Sequence, residues 1–244
     1  MVETLSVREK AIILGLYMSK FNENGLIEFG FDSFNQAFNV FAFSIGAKPA
    51  SIKNYRDEFD PYFPNQRQGW HKRSLREYCK KIMDKYNSFN FHDFSDLIKD
   101  FIFINNDIDR IVKQDKAESV AKRLITGKAA EEYSKLNYRN IDVFADYELK
   151  DTTYLGCGFD FKLLLRLDFY CVEVKGINLN TGNIIMTEKE YIVARELQDK
   201  YCLFIVKNFI EKPNHQIIFN PINSELNFRR TEKSVVQISY STSL

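Results

Sequence analysis

GCGFDFKLLLRLDFYCVEVKG, residues 156–176, holds two apolar runs that meet at a short polar turn around Arg166 to Asp168. Runs of this length, rich in Leu, Phe, Tyr and Val and separated by so few residues, predict two antiparallel strands joined as a hairpin. Side chains alternate along a strand, so Glu173 and Lys175 share one face while Val172 and Val174 share the other. A Glu-x-Lys pair alone carries little, since it arises by chance about once in a chain of this size and a simple ion pair would explain it. The hairpin adds the deciding neighbour: folding back at Arg166–Asp168 brings Asp160 beside Glu173 and Lys175. Two carboxylates so close repel each other and stay ionised only with a cation between them, and all-oxygen ligation suits Mg2+ or Mn2+. The Val174 carbonyl is a plausible third protein ligand. A metal held there would acidify its bound water and neutralise charge growing on a phosphoryl oxygen, with Lys175 orienting the water. That chemistry is phosphodiester hydrolysis.

Beyond the hairpin, short apolar runs continue in YCLFIVKNF and HQIIFN, with a helical pattern in TEKEYIVARELQDKY before them. Strands interrupted by a helix predict a mixed sheet flanked by helices, an α/β or α+β domain. The first hundred residues differ in texture. Segments such as VREKAIILGLYMSKF, SFNQAFNVFAFSIGA and HDFSDLIKDFIFI space their apolar residues by three and four, the helical period. A long charge-rich helical pattern from about Asp107 to Tyr138 follows, with Gly127 as its breaker. The expected division is a helical module at 1–105 and a second domain at 106–244, with the boundary near Asn105.

Within the helical module, SFNQAFNVFAFSIGA, KPA and SIKNYRDEFD have the spacing of a helix-turn-helix, and equally of an ordinary three-helix packing unit. With Ile52, Tyr55 and Phe59 facing inward, Lys53, Asn54 and Arg56 would lie on the open side, where a DNA groove could meet them. The next stretch, NQRQGWHKRSLREYCKKIMDK, is locally basic. Arg67, Lys72, Arg73 and Arg76 could grip a phosphate backbone and Trp70 could stack on bases. The competing expectation is a solvated helix face with Trp70 buried in the module.

Bulk composition excludes more than it selects. Lys and Arg number 34 and Asp and Glu 33, so a polyanion would have to be held by a local patch. The four cysteines are scattered, and those at 171 and 202 sit in apolar runs, which fits free thiols in a reducing, cytoplasmic setting. No segment has the length to span a bilayer. Neither G-x-G-x-x-G nor G-x-x-x-x-G-K-[ST] occurs, and the three histidines lack ligand spacing, so nucleotide-driven work and a zinc site have no support.

GFDF followed by VEVKG resembles the Asp…Glu-x-Lys core of the PD-(D/E)xK nuclease superfamily, which includes many restriction endonucleases. More narrowly, TGKAAEEY, GCGFDF, VEVKG and IIMTEKEYIVARELQDKYCLFIV, in this order, are similar to the nuclease-like domain named for the C-terminus of the plant protein NO VEIN. The similarity covers about Gly127 to Pro221. It implies that Asp160 and Glu173 bind the metal, that Lys175 is the catalytic lysine, and that Glu131, with Glu132 as the competing choice, completes the metal shell. Glu190 and Ala194 match the helix after the core. The family's usual Pro before the first Asp is replaced by Phe159. The expectation is a Mg2+-dependent endonuclease acting on double-stranded DNA as a homodimer, a restriction or related defence enzyme. The alternative is a nuclease-like DNA-binding module that does not turn over, or a subunit of a larger defence complex.

Overall fold

The computed structural model describes residues 5–67, 73–103, 117–232 and 242, with the backbone alone for 117–121. Helix α1 (Val7–Glu28) starts at a capping box in which Ser6 and Glu9 satisfy each other's backbone N–H groups. Its residues Ala11 to Ser19 are all buried, so it is apolar around its circumference and runs through the middle of the helical half. Around it stand α2 (Phe34–Ser44), α3 (Pro49–Phe59), α4 (Glu77–Tyr86) and α5 (Phe91–Ile102). Helix α6 (Ala117–Asn137) leads into the sheet.

Among the described residues the sheet has five strands in sequential order: β1 (Glu148–Asp151), β2 (Phe161–Leu165), β3 (Asp168–Gly176), β4 (Tyr201–Lys207) and β5 (Asn214–Phe219). All neighbours are antiparallel except β3 and β4, which run parallel and are joined through α7 (Glu188–Leu197). This is the mixed sheet flanked by helices that the sequence predicts, preceded by a helical region. The two faces of β3 and β4 bury into different cores. Val172, Val174, Cys202, Phe204 and Val206 pack with Ala129, Ala130 and Tyr133 of α6. Cys171, Tyr201, Leu203 and Ile205 pack with Ala194 of α7. Gly176 lets α6 and β3 approach closely, since a Cβ there would lie 3.0 Å from the Thr126 carbonyl oxygen and 3.1 Å from the Ala130 Cβ.

The helical half is tied to the sheet by packing and by hydrogen bonds. One apolar core runs from Ile12 of α1 to Phe209 after β4. Asn39 of α2 donates to the carbonyls of Phe209 at 2.8 Å and Glu211 at 3.0 Å, and Asn35 donates to those of Ile210 and Glu211. These four bonds satisfy the backbone carbonyls of the β4–β5 loop, which would otherwise be left unpaired where α2 covers them.

Three details depart from the sequence reading. Gly127 does not break the helix, which runs through it from Ala117 to Asn137, and nothing lies within 4 Å of where its Cβ would be. Its cost of about 1 kcal/mol relative to Ala is outweighed by the buried neighbours Ile125, Ala129 and Ala130. Strand β1, ELKD, is short and polar and gives no strand signal, yet it pairs with β2 from Glu148 opposite Leu164 to Asp151 opposite Phe161. Arg56 is not on the open side of α3 but 8% exposed, against the rings of Phe34 and Phe38. The expected inward residues Ile52 and Phe59 are buried, and Lys53 and Asn54 are exposed. Among the described residues no helix is long and apolar enough to cross a membrane.

Candidate active site

The β2–β3 hairpin closes at Arg166 and Leu167, with Leu165 paired to Asp168 and Arg166 in the left-handed region at φ 54°. From that tip the register is fixed: Phe161 pairs with Val172, which leaves Asp160 at the end of the ladder, bonded to Val172 and Val174 on either side of Glu173. The Asp160 N–H donates to the Val172 carbonyl at 2.9 Å, and the Val174 N–H donates to Asp160 Oδ2 at 2.8 Å. The Asp160 carbonyl accepts from both the N–H and the hydroxyl of buried Thr152 at 2.8 and 2.9 Å. The backbone on both sides of this carboxylate is therefore held in place.

Glu173 is 5% exposed and its Oε1 accepts from Lys175 Nζ at 2.6 Å. The same ammonium donates to Glu190 Oε2 at 2.6 Å. Glu190 also closes the capping box of α7, its Oε2 accepting from the Thr187 N–H while Thr187 Oγ1 accepts from the Glu190 N–H. One carboxylate oxygen thus starts α7 and holds Lys175. Asp160 Oδ1 and Glu173 Oε2 have no hydrogen-bond partner among the described residues.

Burial dominates the electrostatics. It pushes the carboxyls of Asp160 and Glu173 above the usual carboxylate range, and the charge of Asp160 pushes Glu173 further, while the Val174 N–H and Lys175 oppose the shifts. Burial also works against charge on Lys175, but Glu173 and Glu190 outweigh it and raise the ammonium's pKa. Glu131 of α6 is pushed up to about 7, first by burial and next by the charge of Asp160. Glu132 points its charge elsewhere, into an ion pair with Lys135 at 2.7 Å, and Lys135 in turn meets Asp151 at 2.8 Å. Of the two candidates on α6, Glu131 is the one whose field is coupled to Asp160.

Among the described residues no three His, Cys, Asp or Glu side chains gather closely enough to enclose a metal ion. The donor chemistry still fits a divalent cation. Asp160 and Glu173 are buried carboxyls with one open oxygen each, both raised first by burial, and a cation between them would favour their charged forms. The protein side of such a site would be those two carboxylates and the Val174 carbonyl, with Glu131 as the further acid.

The basic residues of the helical module have other partners. Arg67 makes two 2.8 Å bonds to buried Asp60, and Arg56 pairs with Asp57 and reaches Asp60. Arg76 holds buried Glu58 through its backbone N–H at 2.9 Å and its Nε at 2.7 Å, and Arg73 joins it at 3.3 Å. Arg56 and Arg67 are thus drawn to buried Asp60, and Arg73 and Arg76 to buried Glu58, while the side chains of Arg73 and Arg76 stay 49% and 36% exposed. Lys53 and Asn54 remain exposed on α3. Trp70 and Lys72 lie outside the described residues. Sequence reasoning did not assign the part taken by Glu190, although the T-x-x-E signature at 187–190 marks it as a helix-capping carboxylate. Thr152, which pins the Asp160 carbonyl, carries no comparable signal.

A family model described as Protein NO VEIN, C-terminal matches residues 128–219. That segment is similar to the family named in the sequence reading. It contains Glu131, Asp160, Glu173, Val174, Lys175 and Glu190, and it leaves α1 to α5 unmatched. No curated protein and no solved structure matches the chain.

Proposed function

We propose that the chain is a Mg2+-dependent endonuclease of the PD-(D/E)xK kind that hydrolyses phosphodiester bonds in double-stranded DNA, acting in restriction or a related defence. The observation that carries this reading is the hairpin register, which bonds Asp160 to Val172 and Val174 on either side of Glu173, with Lys175 paired to Glu173. Asp160, Glu173 and the Val174 carbonyl would hold Mg2+, or Mn2+ in its place. The ion would supply an activated water and charge neutralisation at the phosphoryl oxygens. Lys175 would orient the attacking water and stabilise charge on the reacting phosphate, and Glu190 keeps the ammonium on the carboxylate face. Glu131, its carboxyl pushed up to about 7 by burial and the charge of Asp160, would take or give a proton. Lys53 and Asn54 offer a DNA-facing surface on α3, and two copies of the chain would cut both strands.

A second reading, a nuclease-like module that binds DNA without turnover, is favoured by the ion pairs that occupy Lys175 on both sides. One experiment separates them. Plasmid DNA incubated with the purified chain and Mg2+ or Mn2+ is nicked or cut under the first reading. Lys175→Ala then loses cleavage but retains DNA binding, and Asp160→Ala loses cleavage and Mg2+ affinity. Binding with no nicking by the wild-type chain favours the second reading. Undiminished cleavage by either variant sinks the assignment of the site.

A further inference from the structure

The loop from β1 to β2 exposes two large apolar side chains on the segment that leads into Asp160. Tyr154 is 78% exposed and Leu155 56%, side by side on a single 3-10 turn, Thr153–Leu155. The turn is firmly held. Asp151 Oδ1 accepts from the Thr153 N–H at 3.0 Å and from its hydroxyl at 2.6 Å. Thr152, 4% exposed, is bonded through its N–H and hydroxyl to the Asp160 carbonyl. At the far end the Tyr201 hydroxyl donates to the Gly158 carbonyl at 3.0 Å. Gly158 has φ 94°, and a Cβ there would lie 2.9 Å from Val193 Cγ2 and 3.3 Å from the Lys189 carbonyl oxygen. The loop is therefore seated on the first turns of α7, the helix that carries Glu190. Lys189 on that helix is exposed and has no ion-pair partner among the described residues.

Single exposed apolar residues are common on protein surfaces. An adjacent Tyr and Leu, presented on a pinned turn that hangs from the carbonyl of Asp160, in a loop whose Gly158 packs on the helix carrying exposed Lys189, make a more specific arrangement. We infer that Tyr154 and Leu155 form a wedge that enters the base stack of duplex DNA beside the phosphate presented to Asp160. This inference rests on the nuclease reading of the site for its choice of occupant. With the backbone at the carboxylates, the bases of the same nucleotides come next to the loop that is bonded to Asp160. An aromatic ring stacks on any base, and a neighbouring branched apolar side chain fills the space of an opened step. Lys189 then faces the phosphates of the opened segment.

The test uses the full chain and a pool of 30-base-pair duplexes in which 2-aminopurine replaces some adenines, with Ca2+ in place of Mg2+. Unstacking raises the fluorescence of this base whether or not a strand is cut. The wild-type chain and Tyr154→Phe should both raise it. The double variant Tyr154→Ala/Leu155→Ala, altered only at exposed positions, should lose most of the rise at saturation and about tenfold in affinity. No rise with the wild-type chain, or an equal rise with the double variant, overturns the wedge. An unchanged rise together with a fall in the double variant's oligomeric mass assigns the two residues to a second copy of the chain, and also overturns it. Plasmid cleavage by the wild-type chain reports separately on the nuclease reading, so the two can fail independently.

Discussion

Replacing Glu173 by Gln should stabilise the metal-free chain at neutral pH while abolishing its activity. Glu173 is 5% exposed and its carboxyl is pushed from 4.5 up to about 8, chiefly by burial and then by the charge of Asp160. A carboxyl whose folded-state pKa lies above its unfolded value contributes its full stability below the unfolded value, near 4.5, and loses it as pH rises through about 8. Each pKa unit corresponds to about 1.4 kcal/mol, so at pH 7 the ionisable wild-type group costs roughly 3 kcal/mol relative to its protonated form. Gln keeps the shape and has no charge to lose. Lys175 still has Glu190 as a counter-ion in this variant. For a chain of this length roughly 3 kcal/mol corresponds to about 6–12 °C in Tm. The assay is thermal denaturation of both chains in EDTA from pH 4.5 to 8. The curves should coincide at the acid end and separate steadily above it, with Glu173→Gln the more stable. Mg2+ should raise the wild-type Tm more at pH 8 than at pH 5 and leave the variant unmoved. A gap that does not change with pH, or a variant less stable at pH 8, would refute the argument that burial and repulsion set the state of this carboxylate.

Other substitutions test the remaining contacts. Glu190→Gln keeps a residue type that the α7 capping box accepts but removes one of the charges that raise the Lys175 pKa, so the alkaline limb of the cleavage profile should move to lower pH; an unmoved limb would show that Glu190 does not act through Lys175. Arg76→Ala should cost about 2–4 kcal/mol in chemical denaturation, because it strips the backbone-adjacent partner from buried Glu58, whereas Lys53→Ala should leave stability within about 0.5 kcal/mol and weaken DNA binding. Gly176→Val should destabilise by about 1–3 kcal/mol, since its Cβ alone would press on Thr126 and Ala130, and a neutral result would mean that α6 can move away from β3. Asp168, held down to about 2 by its bonds to Lys200 and Tyr147, contributes stability that is present above its unfolded value near 3.8 and lost as pH falls through about 2. The Tm difference between wild type and Asp168→Asn should therefore close as pH falls from 4 towards 2.

Much of the candidate site could be read along the chain. The alternation from Phe161 to Lys175 assigns the strand faces, and a turn of two residues leaves only one register that keeps the apolar side chains inward. Asp160, Glu173 and Lys175 are brought together by that register, so their convergence follows from local pattern plus one hairpin. The capping signature at Thr187 and Glu190 is equally local. The basic run from Arg67 to Arg76 shows cations and not their partners. Glu58 near the end of α3 and Asp60 just after it carry no sign of burial in the sequence, and their burial follows only from how α3 packs against α1 and α2.

The sequence by itself determined the elements whose order is enforced over a few residues: the helices of the first half, the β2–β3 hairpin and the polarity of each strand face. Short-range periodicity and turn geometry suffice there, because the neighbours that decide burial are themselves near in the chain. Tertiary structure alone decided the rest. It made ELKD a strand by pairing it with β2, set Glu131 in the field of Asp160 while Glu132 pairs with Lys135, gave Lys175 to Glu173 and Glu190 together, and set arginines against buried Glu58 and Asp60. Each of these depends on desolvation and on charges brought close from separate elements. The strength of a charge pair is set by the burial around it, a quantity that exists only once the elements have packed.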